Sequence, residues 1–113
     1  LYRNQFDFII SGEQNKIEPV WFGFPCLLKQ EYASKKDLFL TYLSENGVEN
    51  RPILTGNYTQ QPVSKLNNQL IDPSEYSGAE RVHSTGFYIG INSESINFDK
   101  LSDILVSWEV FLK

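Results

Sequence analysis

The stretch from Val20 to Leu54 constrains the fold more than any other part of this chain. It opens with an aromatic and aliphatic run, Val20–Lys29, whose length and composition predict a buried strand. Gly23 inside that run marks a close backbone approach or a bulge. Pro25 has no N–H to give to a ladder and so points to an edge strand or a local break. Ser34 then offers an N-cap, with Asp37 three residues on, beside the positive end of a helix. Leu38, Phe39, Tyr42 and Leu43 fall on one helical face, and Gly47 stops the helix at a left-handed position. Val48–Leu54 resumes an extended pattern, with Pro52 again indicating an edge. Strand, helix and strand in succession make an α/β unit whose pairing direction stays open.

The remainder completes a small two-layer domain. Phe6, Phe8 and Ile10 alternate within a short strand, Gln5–Ile10, followed by a polar loop, Ser11–Pro19. Thr55–Asn68 is a polar loop with room for a helical turn after Gln61, and a second loop, Asn67–Gly78, follows. Ala79–Thr85 reads as a helical turn and Gly86–Ile91 as a third strand after the aromatic run. Asn97 or Asp99 caps a last helix whose stripe is Leu101, Ile104, Leu105, Trp108 and Phe111. The fold class is therefore α+β: a small sheet of three or four strands covered by two main helices, as one domain over residues 1–113. With 113 residues and 41% apolar composition, the chain can build one core and not two.

Charge and cysteine usage exclude several functions. A net charge of -4 with scattered Lys and Arg lacks the basic face that nucleic acid requires. The one cysteine, Cys26, rules out an internal disulfide framework and any multi-cysteine zinc site, and its apolar surroundings predict an inert buried thiol. A reduced, cytoplasmic setting fits this usage. No apolar run approaches the roughly 20 residues that span a bilayer, and no signal-peptide pattern is visible. The chain has no methionine, and with Leu1 at its start it is expected to be an excised portion of a longer protein.

No self-contained active site emerges. His83 is the lone histidine, expected as a polar loop residue without ligand partners, and the serines lack a nucleophile-elbow context. Neither a P-loop nor a dinucleotide fingerprint is present. No metal site is expected. The acids between Asn92 and Asp103 are read as helix-start electrostatics. The exception is the segment from Arg51 to Pro62. The Arg51 guanidinium can clamp a carboxylate or phosphate, and Gly56 allows the backbone to approach a ligand. Asn57, Thr59, Gln60 and Gln61 both donate and accept hydrogen bonds, which suits a hydroxyl-rich sugar. On chemistry alone, an ordinary surface loop with a satisfied turn Asn and an exposed Arg stands beside this reading.

Three separated segments carry a family resemblance. They are Trp21-Phe-Gly-Phe-Pro25, then Val48-Glu-Asn-Arg-Pro-Ile-Leu-Thr-Gly-Asn-Tyr-Thr-Gln-Gln-Pro62, then Thr85-Gly-Phe-Tyr-Ile-Gly90. In this order they resemble the C-terminal part of the DegT-type sugar aminotransferase family. The resemblance is strongest to its branch of CDP-4-keto-6-deoxyglucose 3-dehydrases and related lipopolysaccharide-biosynthesis proteins, and it covers Val20 to the C-terminus. Gln60 stands where that branch has Arg: an Arg there pairs with phosphate, whereas Gln makes a neutral hydrogen bond. Asn50 stands where it has Thr.

The resemblance implies the C-terminal small domain of an aspartate-aminotransferase-like enzyme (pyridoxal-phosphate fold type I), with the large cofactor-binding domain absent from this chain. It implies pyridoxal phosphate or pyridoxamine phosphate in the full-length protein and none for this fragment. It also implies no catalytic residue here and a substrate wall formed by Arg51, Gly56, Asn57, Thr59 and Gln60. The implied partners are a nucleotide-linked deoxy sugar, a second copy in a homodimer and, for a 3-dehydrase, an iron–sulfur reductase. From charge and apolar run length, neither a nucleic-acid nor a membrane partner is expected. The reaction class is dehydration or transamination of a keto-deoxy sugar nucleotide, with the fragment alone inactive. The alternative is a non-catalytic α+β binding or interaction domain that shares only local strand patterns. In that case aromatic residues near Phe22 and Phe24 serve a partner surface.

Overall fold

The computed structural model describes residues 6–8, 22–53, 57–66, 72–91 and 97–112. Four strands, β1 (Phe6–Phe8), β2 (Gly23–Leu28), β3 (Asn50–Pro52) and β4 (Gly86–Gly90), form one sheet in the order β1-β2-β4-β3. Every pairing is antiparallel. The helices are α1 (Lys36–Glu45), the short α2 (Pro62–Leu66), α3 (Ser77–Thr85) and α4 (Phe98–Leu112). The expected α+β class, with a sheet of three or four strands, is what forms. The expected loop Ser11–Pro19 and Trp21 lie outside the described residues.

The register sorts side chains onto two faces, because alternate residues of a strand point to opposite sides. Cys26 pairs with Phe87 and Phe24 with Ile89, and these four share the face that α1 and α4 cover. There Phe39 meets the Phe87 ring edge-on at 5.6 Å and the Trp108 ring at 5.1 Å. Leu28, Leu43, Ile104 and Leu105 complete this buried cluster. The Tyr42 hydroxyl stitches the two helices by donating to the Ile104 carbonyl at 3.0 Å, while its ring stacks at a tilt on Trp108, 5.0 Å away.

Several expectations are corrected. Of the two readings of Pro25, an edge strand or a local break, the edge is ruled out: β2 lies inside the sheet, flanked by β1 and β4. Among the described residues, the β1 pairing reaches Cys26 and Pro25 is paired with Tyr88 of β4. Pro52, by contrast, does sit on the edge strand β3. The α/β unit forms as β2, α1 and β3, and its open direction is settled: β2 and β3 are both antiparallel to β4, which lies between them, and so run parallel to each other. Ser34 is not the cap of α1; it lies in a 3-10 helix, Gln30–Lys35, that runs straight into α1. Leu38 leaves the buried stripe and is 53% exposed, because one residue turns it about 100° from Phe39. The stretch read as loop from Asn67 contains a 3-10 turn, Pro73–Tyr76, leading into α3, which takes in the expected helical turn Ala79–Thr85 and with it His83.

The end of α1 follows the expected glycine stop. Gly47 has φ +77°, its N–H donates to the Ser44 carbonyl, and the Val48 N–H donates to the Leu43 carbonyl at 2.9 Å. These are the two bonds of a Schellman motif, and Val48 packs against the core beside Leu43. The Asn50 carboxamide then ties β3 back to α1 by donating to the Leu40 carbonyl at 3.1 Å and to the Ser44 hydroxyl at 3.0 Å. Among the described residues, no helix is long and apolar enough to cross a membrane.

Candidate functional site

The polar segment after β3 was expected to present one continuous wall. The structure divides it into two places. Arg51 belongs to the sheet. It pairs with Tyr88 across β3 and β4, on the face opposite α1 and α4. Its guanidinium meets the Glu49 carboxylate at 3.3 Å, with the two side chains 71% and 63% exposed. A pair this solvated contributes little to stability, about 0–1 kcal/mol. Beside it lies a shallow hollow of about 210 Å³, lined by Phe22, Gly23, Glu49, Arg51, Tyr88 and the Gly90–Ile91 strand end.

The two glycines of that hollow make room for the domain's own side chains. A Cβ on Gly90 would stand 2.9 Å from Glu49 Oε2 and 3.0 Å from Glu49 Cβ. A Cβ on Gly23 would press on the Ile89 carbonyl and Tyr88 Cβ. The Gly90 N–H also donates to the Glu49 carbonyl at 2.7 Å. Glu49 is thus seated over Gly90, and its carboxylate holds Arg51 at the rim. Phe22, 84% exposed, forms the apolar side.

The second place is the turn from Asn57 to Ser64. Asn57 caps a 3-10 turn, Tyr58–Gln60. Its Oδ1 accepts from the Thr59 N–H at 3.0 Å and the Thr59 hydroxyl at 2.7 Å. Its Nδ2 donates to Glu80 Oε2 at 2.8 Å, and the residue is 1% exposed. Gln60 Nε2 donates to the same Glu80 oxygen. The Ser64 hydroxyl closes the turn on the Thr59 and Gln61 carbonyls. The structure therefore brings Asn57, Thr59 and Gln60 together around Glu80. None of the three lines the hollow that holds Arg51. Asn57 faces its own turn and α3, while Gln60 stays exposed. Gly56 lies outside the described residues.

Glu80 was not among the expected site residues. The available signal was indirect. A loop rich in amide donors, Asn57, Gln60 and Gln61, contains no acid, and the chain offers none between Arg51 and Ile71. Buried donors need acceptors, but nothing in the spacing selects Glu80 over Asp72 or Glu75.

The arrangement offers recognition chemistry. Cys26 is buried, and desolvation pushes its thiol up to about 12, so it holds its proton and is inert as a nucleophile. Lys36 directs its ammonium to the His83 carbonyl at 2.6 Å. Among the described residues no three His, Cys, Asp or Glu side chains converge as metal ligands.

No protein-family model matches the chain. It is 33% identical over 82 residues to a GDP-4-keto-6-deoxy-D-mannose 3-dehydratase of Yersinia pseudotuberculosis, a match covering 72% of this chain and 21% of that protein. It is 29% identical over 77 residues to the lipopolysaccharide biosynthesis protein RfbH of Salmonella typhimurium, covering 67% of this chain and 17% of the relative. The chain thus spans about a fifth of the length of the curated relatives it matches. These similarities connect it to proteins of lipopolysaccharide sugar biosynthesis.

Proposed function

We propose that this chain is the substrate-side, C-terminal small domain of a longer pyridoxal-phosphate-dependent sugar-nucleotide enzyme. The enzyme dehydrates or transaminates a nucleotide-linked keto-deoxy sugar for lipopolysaccharide or O-antigen synthesis in the cytoplasm. The observation that carries the proposal is the match of most of this chain to one fifth of a sugar-nucleotide 3-dehydratase. Of the two reactions, dehydration is the one in that relative's name. The order of the segments around Trp21, Arg51 and Gly86, resembling the DegT type, adds the cofactor class and the domain's place.

Neither the lining of the hollow nor the Asn57–Ser64 turn contains a lysine that could carry pyridoxal phosphate. Lys36, elsewhere in the domain, is engaged with the His83 carbonyl, and Arg51 is a cation at the hollow's rim, paired with Glu49 only through solvent-exposed side chains. The proposal therefore puts the cofactor, which supplies an electron sink at the sugar carbon, on the rest of the longer protein. In the proposed role, Arg51 supplies positive charge at an open rim. The turn that Asn57 and Thr59 brace presents the exposed Gln60 carboxamide, with Gly56 between Arg51 and this turn in sequence. A second copy in a homodimer and, for dehydration, an iron–sulfur reductase complete the proposed system.

The test uses the full-length protein with pyridoxamine phosphate, a reductant and nucleotide-linked 4-keto-6-deoxy sugars, followed by mass spectrometry. Loss of the 3-hydroxyl is the expected outcome. Gain of an amino group assigns transamination, and an unchanged sugar across the substrate panel with both cofactor forms sinks the proposal in favour of a binding domain.

A further inference from the structure

We propose that Glu80 is the positioning residue of the Asn57–Gln61 turn, and that it also sets which end of the Gln60 carboxamide is left for a ligand. The inference about ligand contact rests on the function proposed above; the positioning role does not.

One carboxylate oxygen, Glu80 Oε2, receives both Asn57 Nδ2 and Gln60 Nε2. Asn57 Oδ1 is already engaged by the Thr59 N–H and hydroxyl, so Glu80 completes the carboxamide of a residue that has left water behind. Hydrogen bonds to an ionised acceptor are stronger than neutral ones, and two converge here. They join residues 23 and 20 positions apart in the chain, so they fix the turn relative to α3 and not merely to itself. The helix is a firm support. The Lys36 ammonium anchors it through the His83 carbonyl, the Thr85 hydroxyl donates to the Arg81 carbonyl, and α3 passes directly into β4.

The consequence for Gln60 follows from donor and acceptor rules. An ionised carboxylate only accepts, so the Gln60 amide must turn its nitrogen toward Glu80 and its oxygen away. The exposed Gln60 then offers an acceptor beside a carboxylate. That combination takes a hydroxyl donor and disfavours a phosphate. The turn is suited to the sugar part of a substrate, and Arg51, on the sheet, is the cation left for an anionic part.

Glu80→Ala, Glu80→Asp and Glu80→Gln in the full-length protein test this by hydrogen exchange and steady-state kinetics together. Glu80→Ala is expected to speed amide exchange in residues 57–61 by ~10-fold or more while β2 and β4 keep their rates. It is also expected to raise the sugar-nucleotide KM by ~10-fold with kcat within about twofold. Glu80→Gln, which keeps an acceptor oxygen, recovers most of both. Glu80→Asp, whose carboxylate is drawn back from the two carboxamides, behaves like the Ala variant and carries the test if that variant does not fold. Unchanged exchange in residues 57–61, or acceleration spread equally over β2 and β4, overturns the positioning role. Local acceleration with an unchanged KM sustains Glu80 as the anchor and overturns the substrate role of the turn.

Discussion

The two faces of the sheet are made from the same three strands and have opposite characters. On the covered face, Phe24, Cys26, Phe87 and Ile89 meet α1 and α4, and rings and aliphatic chains close out water. On the other face, one residue along each strand, Pro25 and Tyr88 are half-buried and Arg51 is exposed beside a hollow. The difference is one of what each face asks of its residues. The covered face requires volume and shape, so its side chains are replaceable only by others of similar size. The open face is buried where Leu27 lies opposite Gly86, but around Arg51 it requires little of the fold, which leaves the charge there free to be set by whatever it meets.

The sharpest way to break that contrast is Phe87→Ala. Removing a ring that meets Phe39 in the buried cluster is expected to cost roughly 3–5 kcal/mol in urea unfolding. A loss under about 1 kcal/mol would mean the helices do not seal this face. A second measurement uses pH. Burial raises the Cys26 thiol from 9.0 to about 12, so above pH 9 the unfolded chain releases a proton that the folded chain keeps. The stabilisation is complete below pH 9 and is lost as pH climbs toward 12. The advantage of the native chain over Cys26→Ala should shrink across that interval, and a constant difference would show that the thiol is not sealed. The smallest stability effect belongs to the open face. Arg51→Ala should change stability by less than about 1 kcal/mol, yet in the full-length protein it should weaken sugar-nucleotide binding while leaving cofactor affinity intact. Equal loss of both would make Arg51 a structural residue.

What the amino-acid order discloses divides along similar lines. The stripes of α1 and α4 were legible because helical periodicity places Phe39, Leu43, Ile104, Leu105 and Trp108 on buried faces whatever they pack against. The Gly47 stop was legible because few residues accept its positive φ. The place of β2 inside the sheet was not, since Pro25 admits an edge strand or a local break. The candidate site was half legible. Arg51 and the amide-rich turn stand out as polar residues in a short span, but their separation depends on β3 taking one and α3 taking the other. Glu80 was invisible for the same reason. An acid in a helix acquires a role from residues more than five helical turns of sequence away, and no local pattern encodes that partnership.

The junction of α3 and β4 has a mechanical consequence. Thr85 ends the helix and Gly86 begins the strand with nothing between them. A Cβ on Gly86 would collide with the Val82 carbonyl and crowd Ile53, so the joint closes only around a bare backbone. Glu80 and Tyr88 are therefore carried on one stiff arm, the first gripping the Asn57 turn and the second flooring the Arg51 hollow.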